Sequence, residues 1–104
     1  DESCHTRADL ERCAGRYAMV NVKLDKAGGL TEALALCEAA RARGLGLMVG
    51  CMLGTSLAMA PATLLADRAD FVDLDGPLWM SKDREPALRI EDSRVGIPEA
   101  ALWG

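Results

Sequence analysis

Val20-Asn21-Val22-Lys23-Leu24-Asp25-Lys26-Ala27-Gly28-Gly29 is the stretch from which the rest of the chain is read. Val20, Val22 and Leu24 share one parity, and Met19, Asn21 and Lys23 share the other. A strand sends alternate side chains to opposite faces, so one face here is apolar and the other turns polar towards its C-terminal end. Gly28-Gly29 then stops the strand, and a helical pattern begins at once. In parallel α/β architectures the C-terminal ends of strands are where chemistry is placed. Lys23 is therefore a candidate base or charge clamp, and a solvated lysine on a βα loop is the competing reading of the same residues.

Upstream, Thr6 to Ala14 reads as a short helix with Thr6 as N-cap, Asp9 in the first turn and Gly15 as its stop. Downstream, Leu30 to Arg43 is the clearest helix, with an apolar stripe of Leu30, Ala33, Leu34, Cys37 and Ala40 and a cap at Gly44. Leu45 to Gly50 is a second strand, running into Gly50-Cys51-Met52-Leu53-Gly54. Thr55 or Ser56 caps a helix to about Asp67, in which Pro61 predicts a bend. Asp70 to Leu74 is a third strand, with Phe71, Asp73 and Asp75 alternating against Val72 and Leu74 until Gly76-Pro77 breaks it. Leu88-Arg89-Ile90 and Arg94-Val95 flank Glu91-Asp92-Ser93 and predict a hairpin in the tail. The order α-β-α-β-α-β predicts an α/β fold of parallel strands joined by right-handed crossovers.

At 104 residues the chain has room for one small domain. Half of its residues are hydrophobic but few are aromatic, so the core is expected to be Leu, Val, Ala and Met. The net charge of -4, with acids and bases interspersed, gives no reason to expect nucleic acid or an anionic membrane as partner. Cys4, Cys13, Cys37 and Cys51 show no metal-finger spacing, and Cys37 and Cys51 fall in apolar segments, which predicts reduced thiols and a cytoplasmic setting. The chain opens on Asp1-Glu2 without an initiator methionine, and the expectation is a fragment. Gly44 to Ala66 carries no charge and is long enough to cross a bilayer. Its glycines, Pro61 and Thr55-Ser56 make a poor continuous helix, and a buried strand followed by a core-facing helix explains the same run.

Three successive strand ends carry notable groups: Lys23, then Cys51-Met52-Leu53, then Asp73 and Asp75. All open on one rim of a parallel sheet. Asp73 and Asp75 share a parity, and two close carboxylates repel unless a cation, a metal or an ammonium group, lies between them. A pair of exposed turn acids before Gly-Pro is the plainer alternative. Cys4-His5 makes a weak nucleophile pair. Gly28-Gly29 reads as a turn before it reads as a phosphate cradle, and Met48, Met52 and Met59 read as core filling.

Asp1-Glu2-Ser3, the run Asn21 to Gly29 with its Lys-x-x-Lys-x-Gly-Gly, Met48-Val49-Gly50-Cys51-Met52 and Asp73-Leu74-Asp75-Gly76-Pro77 together resemble the enolase superfamily. Within it the likeness is to dipeptide epimerases of the muconate-lactonising subgroup. The resemblance implies a partial (β/α) barrel with a C-terminal β-hairpin tail. Residues 1–104 would be the C-terminal part of that barrel domain, and 86–104 would return towards a capping domain. It implies a magnesium-dependent enzyme acting on a dipeptide and self-associating at full length. Asp1 would be one magnesium ligand and Lys23 an acid/base. Cys51, Met52 and Leu53 would line the substrate pocket, and Asp73 and Asp75 would hold the α-ammonium. The second lysine, the other metal carboxylates and the capping domain of that family are absent from this sequence. The alternatives are a cycloisomerase or an o-succinylbenzoate synthase of the same subgroup, or a non-catalytic truncated α/β fragment. The Asp-x-Asp pair argues against the first two, since neither substrate needs an ammonium clamp.

Overall fold

The computed structural model describes residues 1–104. Three strands, β1 (Met19–Lys23), β2 (Gly46–Gly50) and β3 (Phe71–Val72), pair in parallel in the order β1-β2-β3. Met19 faces Gly46 and Lys23 faces Gly50 across the first pair; Met48 faces Phe71 across the second. The alternation expected of β1 is present: Val20 and Val22 are buried, while Met19, Asn21 and Lys23 are half-buried on the other face. Leu47 and Val49 continue the buried face on β2. Each such side chain taken out of water contributes roughly 1.5–3 kcal/mol.

Helix α3 (Leu30–Ala42) covers that buried face through Ala33, Leu36, Cys37 and Ala40. Leu36, outside the expected stripe, is buried there, and Leu34, expected within it, is only half-buried. The buried arc is the i, i+3, i+4, i+7 set starting at Ala33, and Leu34 falls at its margin. Asp70 ties the layers together. Its carboxylate accepts the Leu47 amide at 2.8 Å and pairs with Arg41 of α3 at 2.9 Å.

Several elements depart from expectation; β3, expected over Asp70 to Leu74, is one, and the end of β1 is another. The strand does not run into Gly28-Gly29: Leu24–Ala27 form one helical turn, α2, and Gly28 at φ 82 caps it. Only then does α3 begin, with Gly29 as its N-cap. The helix expected from Ser56 to Asp67 is a single α-turn, α4 (Ser56–Met59), followed by a 3-10 run, Ala60–Arg68. Pro61 sits in the first positions of that run, where its missing N–H removes an α-helical bond. No helix is long and apolar enough to cross a membrane. The N-terminal helix is a 3-10 turn, Arg7–Asp9, leading into α1 (Leu10–Cys13). The tail hairpin is β4 (Ile90–Glu91) with β5 (Arg94–Val95), closed by Asp92 and Ser93, both at positive φ as a tight turn of matching twist requires.

The tail is fastened to α4 by one buried residue. Ser56 donates its backbone N–H to Asp83 at 2.8 Å and its hydroxyl to the other Asp83 oxygen, while the Leu88 amide donates to the Ser56 hydroxyl at 2.8 Å. Removing the hydroxyl leaves the buried Leu88 amide without its partner, and a buried unpaired polar group costs about 1–3 kcal/mol. Ser56→Ala is therefore expected to lower the urea midpoint by that order, with an unchanged slope.

At the other end, the Asp9 carboxylate accepts both the His5 and Thr6 amides at 3.0 Å. Those amides, then Arg12, hold its pKa down at about 2. Its stabilising contribution is present above pH ~4, where the unfolded carboxyl is ionised, and is lost as pH falls towards about 2. Thermal melts over that range should show a steeper acid loss for the native chain than for Asp9→Asn.

Candidate active site

The polar face of the sheet opens into a cleft of about 510 Å³, lined by Asp1, Met19, Asn21, Lys23, Met48, Gly50, Cys51, Asp73 and Asp75. Five of the residues singled out in the sequence, Asp1, Lys23, Cys51, Asp73 and Asp75, therefore meet in one place. The strands explain why. Lys23 ends β1 opposite Gly50, and Asp73 follows Val72, the partner of Val49. The Asp73 amide donates to the Val49 carbonyl at 2.9 Å and extends the pairing past β3.

Lys23 is the cation at the centre. Its side chain is 13% exposed, its Nζ lies 3.3 Å from Asp1, and it contacts the Met52 sulfur at 3.9 Å. The α2 turn returns Lys26 to the same place, where it pairs with the other Asp1 oxygen at 3.6 Å and with Glu2. Glu2 has its pKa lowered by Lys26. The spacing Lys-x-x-Lys, one helical turn, is the signal by which this second cation could have been found. Asp75 is held from outside the cleft by Trp79, whose indole N–H donates to it at 2.7 Å. The partner lies only four residues on, at the far end of the 3-10 turn that Asp75 caps. Asp73 is exposed and has no such partner.

The pocket trio is divided. Cys51 is half-buried in the cleft, and burial raises its thiol pKa ahead of the opposing Gly76 amide, so it stays a thiol at neutral pH. Met52 is 46% exposed and touches Lys23, which corrects the core-filling expectation for it; Met59 alone of the three methionines is fully buried. Neither Met52 nor Leu53, which is 69% exposed, is among the cleft-lining residues. All four cysteines are free, and burial beside Cys13 pushes Cys4 up to about 11, which leaves no Cys4-His5 nucleophile.

As a magnesium site these residues do not fit by themselves. No three His, Cys, Asp or Glu side chains cluster to hold a metal ion, and Asp1 is one carboxylate with its oxygens facing two lysines.

Residues 1–101 match the model of the enolase C-terminal domain-like family. The chain is 61% identical over 97 residues to an L-Ala-D/L-Glu epimerase of Escherichia coli strain K12, covering 93% of this chain and 30% of that protein. It is 53% identical over 104 residues to an N-acetyl-D-glutamate racemase of a Pseudoalteromonas species, covering 100% of this chain and 33% of the relative. A solved enolase family member from Agrobacterium tumefaciens, with homology to dipeptide epimerases and bound sodium and L-Ala-L-Glu, superposes with a TM-score of 0.96 at 53% identity. That match covers 100% of this chain and 32% of the other. The chain thus spans about a third of the length of the curated relatives it matches.

Calorimetric titration of the 104-residue chain with magnesium should show no saturable binding at micromolar metal, since one carboxylate shared with two ammonium groups is a poor ligand set.

Proposed function

This chain belongs to the enolase C-terminal domain-like family, and from that membership we propose that it forms one wall of the active site of a dipeptide epimerase. What carries the reading is the meeting of Lys23, Asp73 and Asp75 in one cleft at the C-terminal rim of the parallel sheet. The two ends of a dipeptide need opposite charges. An α-ammonium group seeks carboxylates, and Asp73 and Asp75 supply two on one side of the cleft. The carbon to be inverted lies at the other residue, next to a carboxylate, and Lys23 faces it from the opposite wall.

The chemistry asked of Lys23 is a proton transfer. As the free amine its Nζ takes the proton from the α-carbon and becomes an ammonium, while the bonding pair moves into the adjacent carboxylate. Return of a proton to the opposite face gives the epimer. Lys23 is the one amine that lines the cleft, so this chain supplies the group for one face. By the family likeness, Asp1, the carboxylate beside Lys23, would be this chain's contribution to a magnesium site that its residues do not form alone. When bound, that ion would stabilise negative charge on the substrate carboxylate.

A second reading, racemisation of an N-acyl amino acid, draws on the N-acetyl-D-glutamate racemase, which matches the chain over its whole length. The two differ at one point: an N-acyl substrate has no ammonium for Asp73 and Asp75.

In the complete enzyme, Lys23→Ala should slow α-proton exchange by roughly 10²–10⁴-fold, the range general bases contribute, and full turnover in that variant would remove Lys23 from the reaction. Asp73→Asn or Asp75→Asn should raise KM for dipeptides with a free amino end by roughly ten- to a hundredfold, what a charged hydrogen bond is worth. N-acylated substrates should be spared. Equal losses on both substrates would discard the ammonium clamp, and activity on N-acylated substrates alone would establish the second reading.

A further inference from the structure

Asn21 is polar, lies two residues before Lys23 on the same face, and has no role in the reaction as described. Its Oδ1 is buried and is the one buried side-chain polar atom in the protein without a hydrogen-bond partner. By register Asn21 belongs beside Met48, one row below Lys23 and Gly50. Its side chain does not stay in that row. A Cβ built on Gly50 would lie 2.7 Å from Asn21 Oδ1, 3.0 Å from Nδ2 and 3.2 Å from Cγ, so the carboxamide rests where a side chain at Gly50 would be. Gly50 is flanked by Lys23 on β1 and by Asp73 beyond β3. The missing side chain thus opens a notch between base and carboxylates, and Asn21 fills its floor.

The substrate class makes the notch meaningful. In a dipeptide the amide linkage stands between the α-ammonium and the α-carbon that loses its proton. If the ends are held by Asp73 with Asp75 and by Lys23, the linkage passes over Gly50 and Asn21. The torsion of an asparagine amide is broad and roughly two-fold, so a half-turn presents its oxygen to the cleft without moving the backbone. We propose that Asn21 is a substrate-positioning residue whose carboxamide oxygen accepts the amide N–H of the dipeptide. Gly50 is the residue that makes room for it. This rests on the dipeptide reading given above.

The experiment is a double-mutant cycle in the complete enzyme. Asn21→Leu, of similar size and without hydrogen-bonding groups, should raise KM for L-Ala-L-Glu roughly five- to tenfold, the worth of one hydrogen bond, with kcat changed less. Gly50→Ala should give a comparable loss by displacing the carboxamide, since the three atoms nearest its new methyl belong to Asn21. In an Asn21→Ala background, Gly50→Ala should cost nothing further. The matching ester, with oxygen in place of the amide nitrogen, should inhibit wild type and Asn21→Leu equally. Additive losses in the cycle, or an ester whose inhibition weakens as much as the dipeptide does, would overturn the proposal. A wild-type enzyme that exchanges no dipeptide α-proton would instead overturn the reading beneath it.

Discussion

Parallel pairing is the constraint on which the structure depends. Two parallel strands cannot be joined by a tight turn, so the chain must cross back over the sheet between them. Here α2 and α3 make the first return, and α4 with its 3-10 continuation makes the second. Both returns lie on the buried side, against Val20, Val22, Leu47 and Val49, and this leaves the other face free. The same constraint aligns the C-terminal ends. Lys23, Gly50 and Asp73 are far apart in sequence and adjacent in space because every strand runs the same way.

The electrostatics of the cleft follow from that alignment. One rim carries two lysines against Asp1 and Glu2, and the opposite rim carries Asp73 and Asp75. The lysines are balanced by Asp1 and Glu2, so the net charge lies on the Asp73 and Asp75 rim, which favours the ammonium end of a ligand and repels its carboxylate. Lys26 adds little to chemistry and much to placement, since it holds Glu2 and the second Asp1 oxygen while Lys23 keeps the first.

How much of this was legible in the sequence depended on whether the signal was local. Strand parity located Lys23, Asp73 and Asp75, and all three line the cleft. The 3.6-residue period found α3, though not which leucine lay deepest, because the angle at which a helix meets a sheet is a tertiary matter. Gly28-Gly29 was legible as a break, but the turn between strand and glycines was not: Leu24-Asp25-Lys26-Ala27 continues the strand's parity as readily as it forms a helical turn. Asn21 shared the parity of Lys23, yet only the bare Gly50 across the ladder showed where its amide reaches. The Ser56–Asp83 pair lies between segments whose approach no local pattern encodes.

The fastening of the tail at Ser56 bears on how the chain meets a protease. Lys82 and Arg84 flank Asp83 and stand exposed in the connection after Trp79, where trypsin would cut readily. A cut after Lys82 severs the backbone but not the attachment, because Asp83 and Leu88 both remain bonded to Ser56 and Leu88 and Leu102 stay packed in the core. The nicked protein would travel as one particle until denaturant parted it. Covalent continuity and structural continuity are separate properties at this point in the fold, and the second does not need the first.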